Sequence, residues 1–225
     1  MGVIILVRHG QASWGAADYD ALSPLGHDQS ALVGSALAGR GVTPTRVVAG
    51  AMKRHAQTAQ GAVEAAGWGC EVTVDEGWNE FDHVQMLEVH GAPDGDGTSG
   101  GETGGSMSRR EFDAWFDAAT ERWTSGRYDR DYDEPFHAFT ARVQSAMRRT
   151  AAEVGKGEVA LVFTSGGPVS WVAAAMLGGG VDAWIRLNPV VPNASLTKVV
   201  VGRRGTTLVS LNEHAHLEPD HVSYR

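Results

Sequence analysis

The sequence predicts an α/β fold, a three-layer sandwich in which a mostly parallel central sheet is flanked by helices. Two observations carry this. Val3 to Val7 and Val159 to Phe163 are continuous apolar runs without alternation, as expected of strands covered on both faces. Strand-like and helix-like segments also alternate through the first third of the chain, in a βαβ rhythm.

Taken in order, the first run ends at Arg8-His9-Gly10. Ser23-Pro24 reads as an N-cap with proline at the first helical position. Leu25, Leu32, Val33, Ala36 and Leu37 follow near helical spacing, and Gly39 and Gly41 end the helix. Arg46 to Ala49 is a second short strand, and Ala51 to Ala66 a second helix closed by Gly67. Glu71 to Val74 is a third strand. The glycine-rich stretch from about 90 to 107 has no apolar period and is expected to be a mobile insertion or lid. Ser108-Arg109-Arg110-Glu111 fits a capping box. Phe112, Trp115, Phe116, Ala119 and Trp123 then share a helical face, read as core or as the floor beneath the lid. A helix from about Pro135 carries Phe136, Phe139, Val143 and Met147. After the late strand come Thr164-Ser165-Gly166-Gly167 and an apolar helix. Leu196 to Val201 and Thr207 to Leu211 flank Gly202-Arg203-Arg204-Gly205 as a hairpin. One domain over 1–225 accounts for the pattern.

Composition excludes several classes. The chain has 225 residues, 42% hydrophobic and 20% charged, an ordinary globular balance. No apolar run reaches the roughly 18 residues of a membrane span, and the N-terminal apolar stretch meets Arg8 too early to read as a signal peptide. The single cysteine, Cys70, cannot form an internal disulfide and reads as a small residue beside a strand. The expected location is the cytoplasm. A net charge of −8 argues against nucleic acid or an anionic membrane as partner, but not against a phosphorylated small molecule, which needs only a few local cations and amides. The oligomeric state is left open, a homodimer included.

Three polar motifs share one structural address. Arg8-His9-Gly10, Met52-Lys53-Arg54-His55 and Ser165-Gly166-Gly167 each follow a strand. Ligands of open α/β sheets bind outside the carboxyl ends of the strands, where helix N-termini also aim their amides. Two arginines and a histidine at that edge suit a dianion, because the guanidinium fork forms paired, charge-assisted bonds to phosphate.

Leu6-Val7-Arg8-His9-Gly10 resembles the signature of the histidine phosphatase (phosphoglycerate mutase-like) superfamily. Leu22-Ser23-Pro24-Leu25-Gly26, Arg54-His55-Ala56-Gln57-Thr58-Ala59, Asn79-Glu80, the late strand ending in Ser165-Gly166-Gly167, and Leu211 to Leu217 resemble its further blocks, in order over nearly the whole chain. The resemblance implies a phosphoglycerate mutase-like fold and a phosphohistidine mechanism. His9 would be the nucleophile, Arg8 and Arg54 would neutralise the phosphoryl oxygens, and Glu80 would act as general acid and base. Ser165 and Gly166 would line the phosphate pocket. No metal and no cofactor are implied.

The chain departs from that pattern where the family usually has a second histidine, here Ser165, and where its mutase branch commonly has asparagine, here Gly15. Both departures favour a phosphatase over a mutase-type phosphoryl transferase. Ser165 alone favours the remaining alternative, a phospho-ligand-binding protein impaired in turnover. His83, three residues beyond Glu80, is expected to supply the missing phosphate contact, and Asp82 is the rival acid to Glu80. His214, His216, Asp220 and His221 offer zinc-type ligands, but the resemblance accounts for His216 as a structural or pocket-edge residue, and no metal is assigned.

Overall fold

The structure is a computed structural model that describes residues 1–13, 18–92 and 108–224. Gly15 and most of the glycine-rich stretch, residues 93–107, lie outside the described residues. The chain forms two compact units, one of Met1–Glu80 with Arg142–Arg225 and one of Phe81–Ala141.

The first unit is built on a six-stranded sheet in the order β3-β2-β4-β1-β5-β6. β1 (Gly2–Arg8), β2 (Arg46–Ala49), β3 (Val72–Val74) and β4 (Val159–Thr164) are mutually parallel. β5 (Leu196–Gly202) runs antiparallel to β1, and β6 (Gly205–Glu213) returns antiparallel to β5 through the expected Arg203-Arg204 hairpin. The continuous apolar runs are explained by burial on both faces. Ile5, Val7, Val47, Ala49, Leu161 and Phe163 join one core with Val33 and Leu37 of α1 (Pro24–Gly39) and Ala59 and Ala62 of α2 (Lys53–Ala66). The alternate residues Ile4, Leu6, Ala160 and Val162 are fully buried on the other side, where α6 (Gly166–Met176) packs over β1.

Register positions the site. β1 and β4 pair in step from Val3 with Val159 to Arg8 with Thr164, and Ala49 of β2 pairs with Phe163. The chain therefore leaves the three strands at one level, carrying His9, Gly50 and Ser165 to a common edge.

Local signals set the helices. Ser23 Oγ accepts from Gly26 N–H and Pro24 opens α1. Gly67, with φ 68°, closes α2 in the left-handed region that glycine tolerates. α2 starts at Lys53 rather than Ala51, because Ala51 N–H is drawn to Asn79 Oδ1 at 2.6 Å and Met52 remains extended. α7 (Gly180–Leu187) was not signalled by the sequence pattern.

The second unit holds α3 (His83–His90), α4 (Arg109–Thr124) and the first residues of α5 (Phe136–Ala152). The capping box at α4 is formed in both directions, Ser108 N–H to Glu111 at 2.7 Å and Glu111 N–H to Ser108 Oγ at 3.3 Å. The aromatic face proves to be core at its C-terminal end. Trp123 stacks on Phe81 at 4.8 Å and meets Phe136 edge-on at 5.0 Å, while Phe112, Trp115 and Phe116 stay half-buried. No helix among the described residues is long and apolar enough to cross a membrane.

α1 and α2 touch backbone to backbone at Gly34, where a Cβ would stand 2.1 Å from the Ala62 carbonyl oxygen. Gly34→Ala must push the helices apart. It is expected to lower unfolding free energy by about 1–3 kcal/mol, the usual cost of overpacking, measured by denaturant titration.

Candidate active site

His9 follows the last residue of β1 and is 5% exposed. Its backbone N–H donates to Thr164 O at 2.8 Å, and its carbonyl accepts from Asn193 Nδ2 at 3.1 Å. The ring is oriented by its own neighbour: Nδ1 lies 2.7 Å from Gly10 O, a pure acceptor, so Nδ1 carries the proton. Nε2 is left with its lone pair and receives Arg54 Nε–H at 3.2 Å. Burial, then Arg54 and Arg8, hold the ring's pKa well below the ordinary histidine value, so it is neutral near pH 7.

Arg54 is the second residue of α2 and 5% exposed. Its Nη1 is gripped by Asp20 at 2.6 Å, and Asp20 also accepts Lys53 N–H at 2.7 Å. A cation at a helix N-terminus opposes the helix dipole unless an anion offsets it. Asp20 is that anion among the protein's own groups. Thr58 Oγ donates to Arg54 O at 2.7 Å and accepts Gly10 N–H at 3.0 Å, tying the loop after β1 to α2. Gly10 is obligatory at this crossing, since a Cβ would lie 2.4 Å from Gly26 O.

Arg8 donates from Nη1 to Val191 O and to Tyr224 O. Its buried Nε–H has no acceptor among the described residues, and Gly166 faces it so closely that a Cβ there would stand 3.7 Å away. Burial pulls its pKa down to about 10, partly countered by the nearby Glu80, so it stays charged at neutral pH.

Glu80 reaches α6, where its Oε2 accepts Gly167 N–H at 3.1 Å. The segment before it is fastened from α5. Arg142 Nη1 donates to the carbonyls of Glu76, Gly77 and Asn79 at 3.2, 3.2 and 2.9 Å, and Arg149 pairs with Asp75 at 2.7 Å. Asp82 is otherwise engaged: its Oδ1 caps α3, accepting Val84 and Gln85 N–H at 3.0 Å each. Within the first unit alone, the fold thus brings together His9, Arg8, Arg54, Glu80, Ser165 and Gly166.

A family model described as histidine phosphatase superfamily (branch 1) matches residues 4–92 and 100–214. The chain belongs to that superfamily. Membership carries the enzyme class, phosphatase, with it. No curated protein matches the chain. Among solved structures, a mutant phosphoserine phosphatase from Entamoeba histolytica in complex with phosphoserine is 18% identical, with a TM-score of 0.66 over 97% of this chain and 100% of that one. A mycobacterial glucosyl-3-phosphoglycerate phosphatase is 22% identical, with a TM-score of 0.64 over 96% and 100%. A phosphoglycerate mutase from Bacillus anthracis is 16% identical, with a TM-score of 0.67 over 96% and 94%. These likenesses establish the phosphoglycerate mutase-like fold.

Against this histidine phosphatase frame, several groups at the site carried no individual mark in the sequence. Asp20 holds Arg54, and Thr58 and Asn193 hold the loop after β1, through contacts between distant segments. His55, at the third position of α2, is buried with Nε2 2.6 Å from Ser165 Oγ and its ring centroid 5.7 Å from that of His9. His83 opens α3 in the second unit. The terminal histidines are used singly: His214 pairs with Asn212 O at 2.6 Å and His216 with Ala194 O at 3.1 Å. The described residues contain no grouping of three or more His, Cys, Asp or Glu side chains able to hold a metal ion.

His9 and His55 are both held neutral by burial, with pKa values well below 6.5. The unfolded chain therefore binds more protons than the folded one below pH 6.5, and stability falls as pH drops from 6.5 towards the depressed folded values. Each histidine contributes a slope of up to about 1.4 kcal/mol per pH unit. Denaturant unfolding at pH 7 and pH 5 is expected to show a smaller loss in His9→Asn than in wild type.

Proposed function

We propose that this histidine phosphatase hydrolyses a small phosphomonoester, without a metal ion, through a phosphohistidine on Nε2 of His9. The observation that carries this is the tautomer of His9. Nδ1–H is committed to Gly10 O, and the Nε2 lone pair is presented beside Arg54 in a ring kept neutral by burial and by two guanidiniums.

In the first step Nε2 attacks phosphorus as the bond to the leaving oxygen breaks. Glu80, in its protonated form, gives that oxygen its proton. Arg8 and Arg54 take up the charge on the phosphoryl oxygens, and the Gly10 carbonyl holds Nδ1–H as the ring becomes cationic. In the second step water attacks phosphorus, the Glu80 carboxylate takes its proton, the N–P bond breaks and inorganic phosphate leaves. Splitting the transfer in this way lowers each barrier. The arginines, with the amide end of α6, supply the electrostatic stabilisation. The engagement of Asp82 as a helix cap favours Glu80 as the proton carrier.

The test is hydrolysis of p-nitrophenyl phosphate with a chelator present. Wild type is expected to turn over, and His9→Ala to lose on the order of 10³-fold or more, as enzymes do without their covalent nucleophile. Equal rates in the two proteins exclude His9 as nucleophile. Glu80→Gln should lose about 10²–10⁴-fold on an alkyl phosphate but far less on p-nitrophenyl phosphate, whose phenolate departs without a proton. His83, taken from the sequence as a further phosphate donor, is tested in the same assay: wild-type kcat/KM in His83→Ala removes it from the site.

A further inference from the structure

No step of the proposed mechanism uses His55, although it is fully buried beside the reacting histidine. Its position has been made for it. A Cβ on Gly50 would come within 2.3 Å of His55 Nδ1, so only glycine admits the ring. Among the described residues its ring makes one hydrogen bond, to Ser165 Oγ, 2.6 Å from Nε2.

Ser165 is equally unusual. It holds the N-cap position of α6, where a serine hydroxyl ordinarily accepts an N–H of the first turn, yet its side chain makes no capping bond. The Gly167 N–H goes to Glu80 instead, and the serine oxygen goes to His55. The residue after it, Gly166, faces the unpartnered Nε–H of Arg8. Ser165 therefore sits in line with the groups that receive the phosphoryl oxygens.

The direction of the His55–Ser165 hydrogen bond follows from the other ring nitrogen. Nδ1 is buried with no partner among the described residues. A proton there would be a buried N–H without an acceptor, which folded proteins rarely tolerate, whereas an unused lone pair costs less. The proton therefore lies on Nε2 and is donated to Ser165 Oγ. With that oxygen accepting from His55, the serine's own O–H has no role toward the ring and remains a donor. Burial, followed by the nearby Arg54, holds His55 in this neutral state.

We propose that His55 is a positioning residue: by donating to Ser165 Oγ it fixes the serine hydroxyl as a hydrogen-bond donor to the phosphoryl group carried by His9. This rests on the phosphohistidine mechanism above. The chain would then serve the phosphate with a neutral His–Ser relay at Ser165, set by a histidine on a different helix.

The full-length protein is titrated with orthovanadate by calorimetry and assayed with p-nitrophenyl phosphate. Ser165→Ala is expected to weaken vanadate binding about 10–100-fold, the worth of a hydrogen bond to a charged group, and to lower kcat more than it raises KM. His55→Ala should match it, and the double variant should be no weaker than either single one. His55→Gln, whose amide nitrogen reaches the same place as Nε2, should recover most of the loss, as a space-filling role alone would not require. Wild-type affinity and kcat in Ser165→Ala overturn the proposal, and so do losses that add in the double variant. If His55→Ala fails to fold, His55→Leu, which fills the space without an N–H, takes its place in the cycle. His9→Ala in the same titration tests the mechanism separately. If it abolishes turnover while Ser165→Ala and His55→Ala are silent, the relay falls and the phosphohistidine stands. A wild type that neither binds vanadate nor turns over the ester overturns both.

Discussion

The in-step pairing of β1 with β4, from Val3 opposite Val159 to Arg8 opposite Thr164, is the constraint on which the site depends. Because β2 is also level with β4 at Ala49 and Phe163, three chain segments leave the sheet together and turn into loops or helices at one edge. A slip of one residue in the β1–β4 ladder would take Arg8 out of step with Thr164 and separate His9 from Ser165 along the edge. Burial resists the slip: every residue from Ile4 to Val7 and from Ala160 to Phe163 is apolar and buried, so a shifted ladder would draw the flanking charges of Arg8 or Glu158 towards that interior.

That edge concentrates positive charge where little water reaches. Arg8 and Arg54 each depress the pKa of His9, and Arg54 lowers that of Arg8. Such crowding is unfavourable in the free protein, and the fold meets it locally. Asp20 takes one arm of Arg54, and the carbonyls of Val191 and Tyr224 take Nη1 of Arg8. In the proposed mechanism a phosphoryl group answers what remains of the charge, so repulsion between like charges in the free site becomes attraction when substrate binds. Burial, with the same crowding, keeps His9 unprotonated, the form that the proposed attack by Nε2 needs.

The sequence displays the parts of this arrangement that are local. Continuous apolar runs mark β1 and β4 because both faces of each are covered. Ser23-Pro24, Gly67 and the Ser108 to Glu111 box mark helix ends because capping is a contact between near neighbours. Arg8, His9, Arg54, Ser165 and Gly166 were legible as a group, since each stands just after a strand or opens a helix, and parallel strands bring such positions to one edge. Contacts between distant segments were not legible. The Asp20–Arg54 ion pair spans 34 residues and the His55–Ser165 contact 110, and neither leaves a periodic trace. α3 and α7, at eight residues each, are too short for helical spacing to stand out from the loops around them.

Glycine placement shows how closely these distant contacts are built into the backbone. Gly10 lets the loop after β1 pass against Gly26 at the start of α1, and Gly50 admits the His55 ring. In both places a single methyl group would displace the backbone beside His9 or the ring of His55. The acidic segment is fixed by the opposite means. Arg142 and Arg149 of α5 hold residues 75–79 through carbonyl and carboxylate contacts, which fastens the segment directly before Glu80, whose carboxylate accepts the amide of Gly167. The residue proposed as proton carrier is thus held from two sides, by its fastened chain neighbours and by the opening amides of α6.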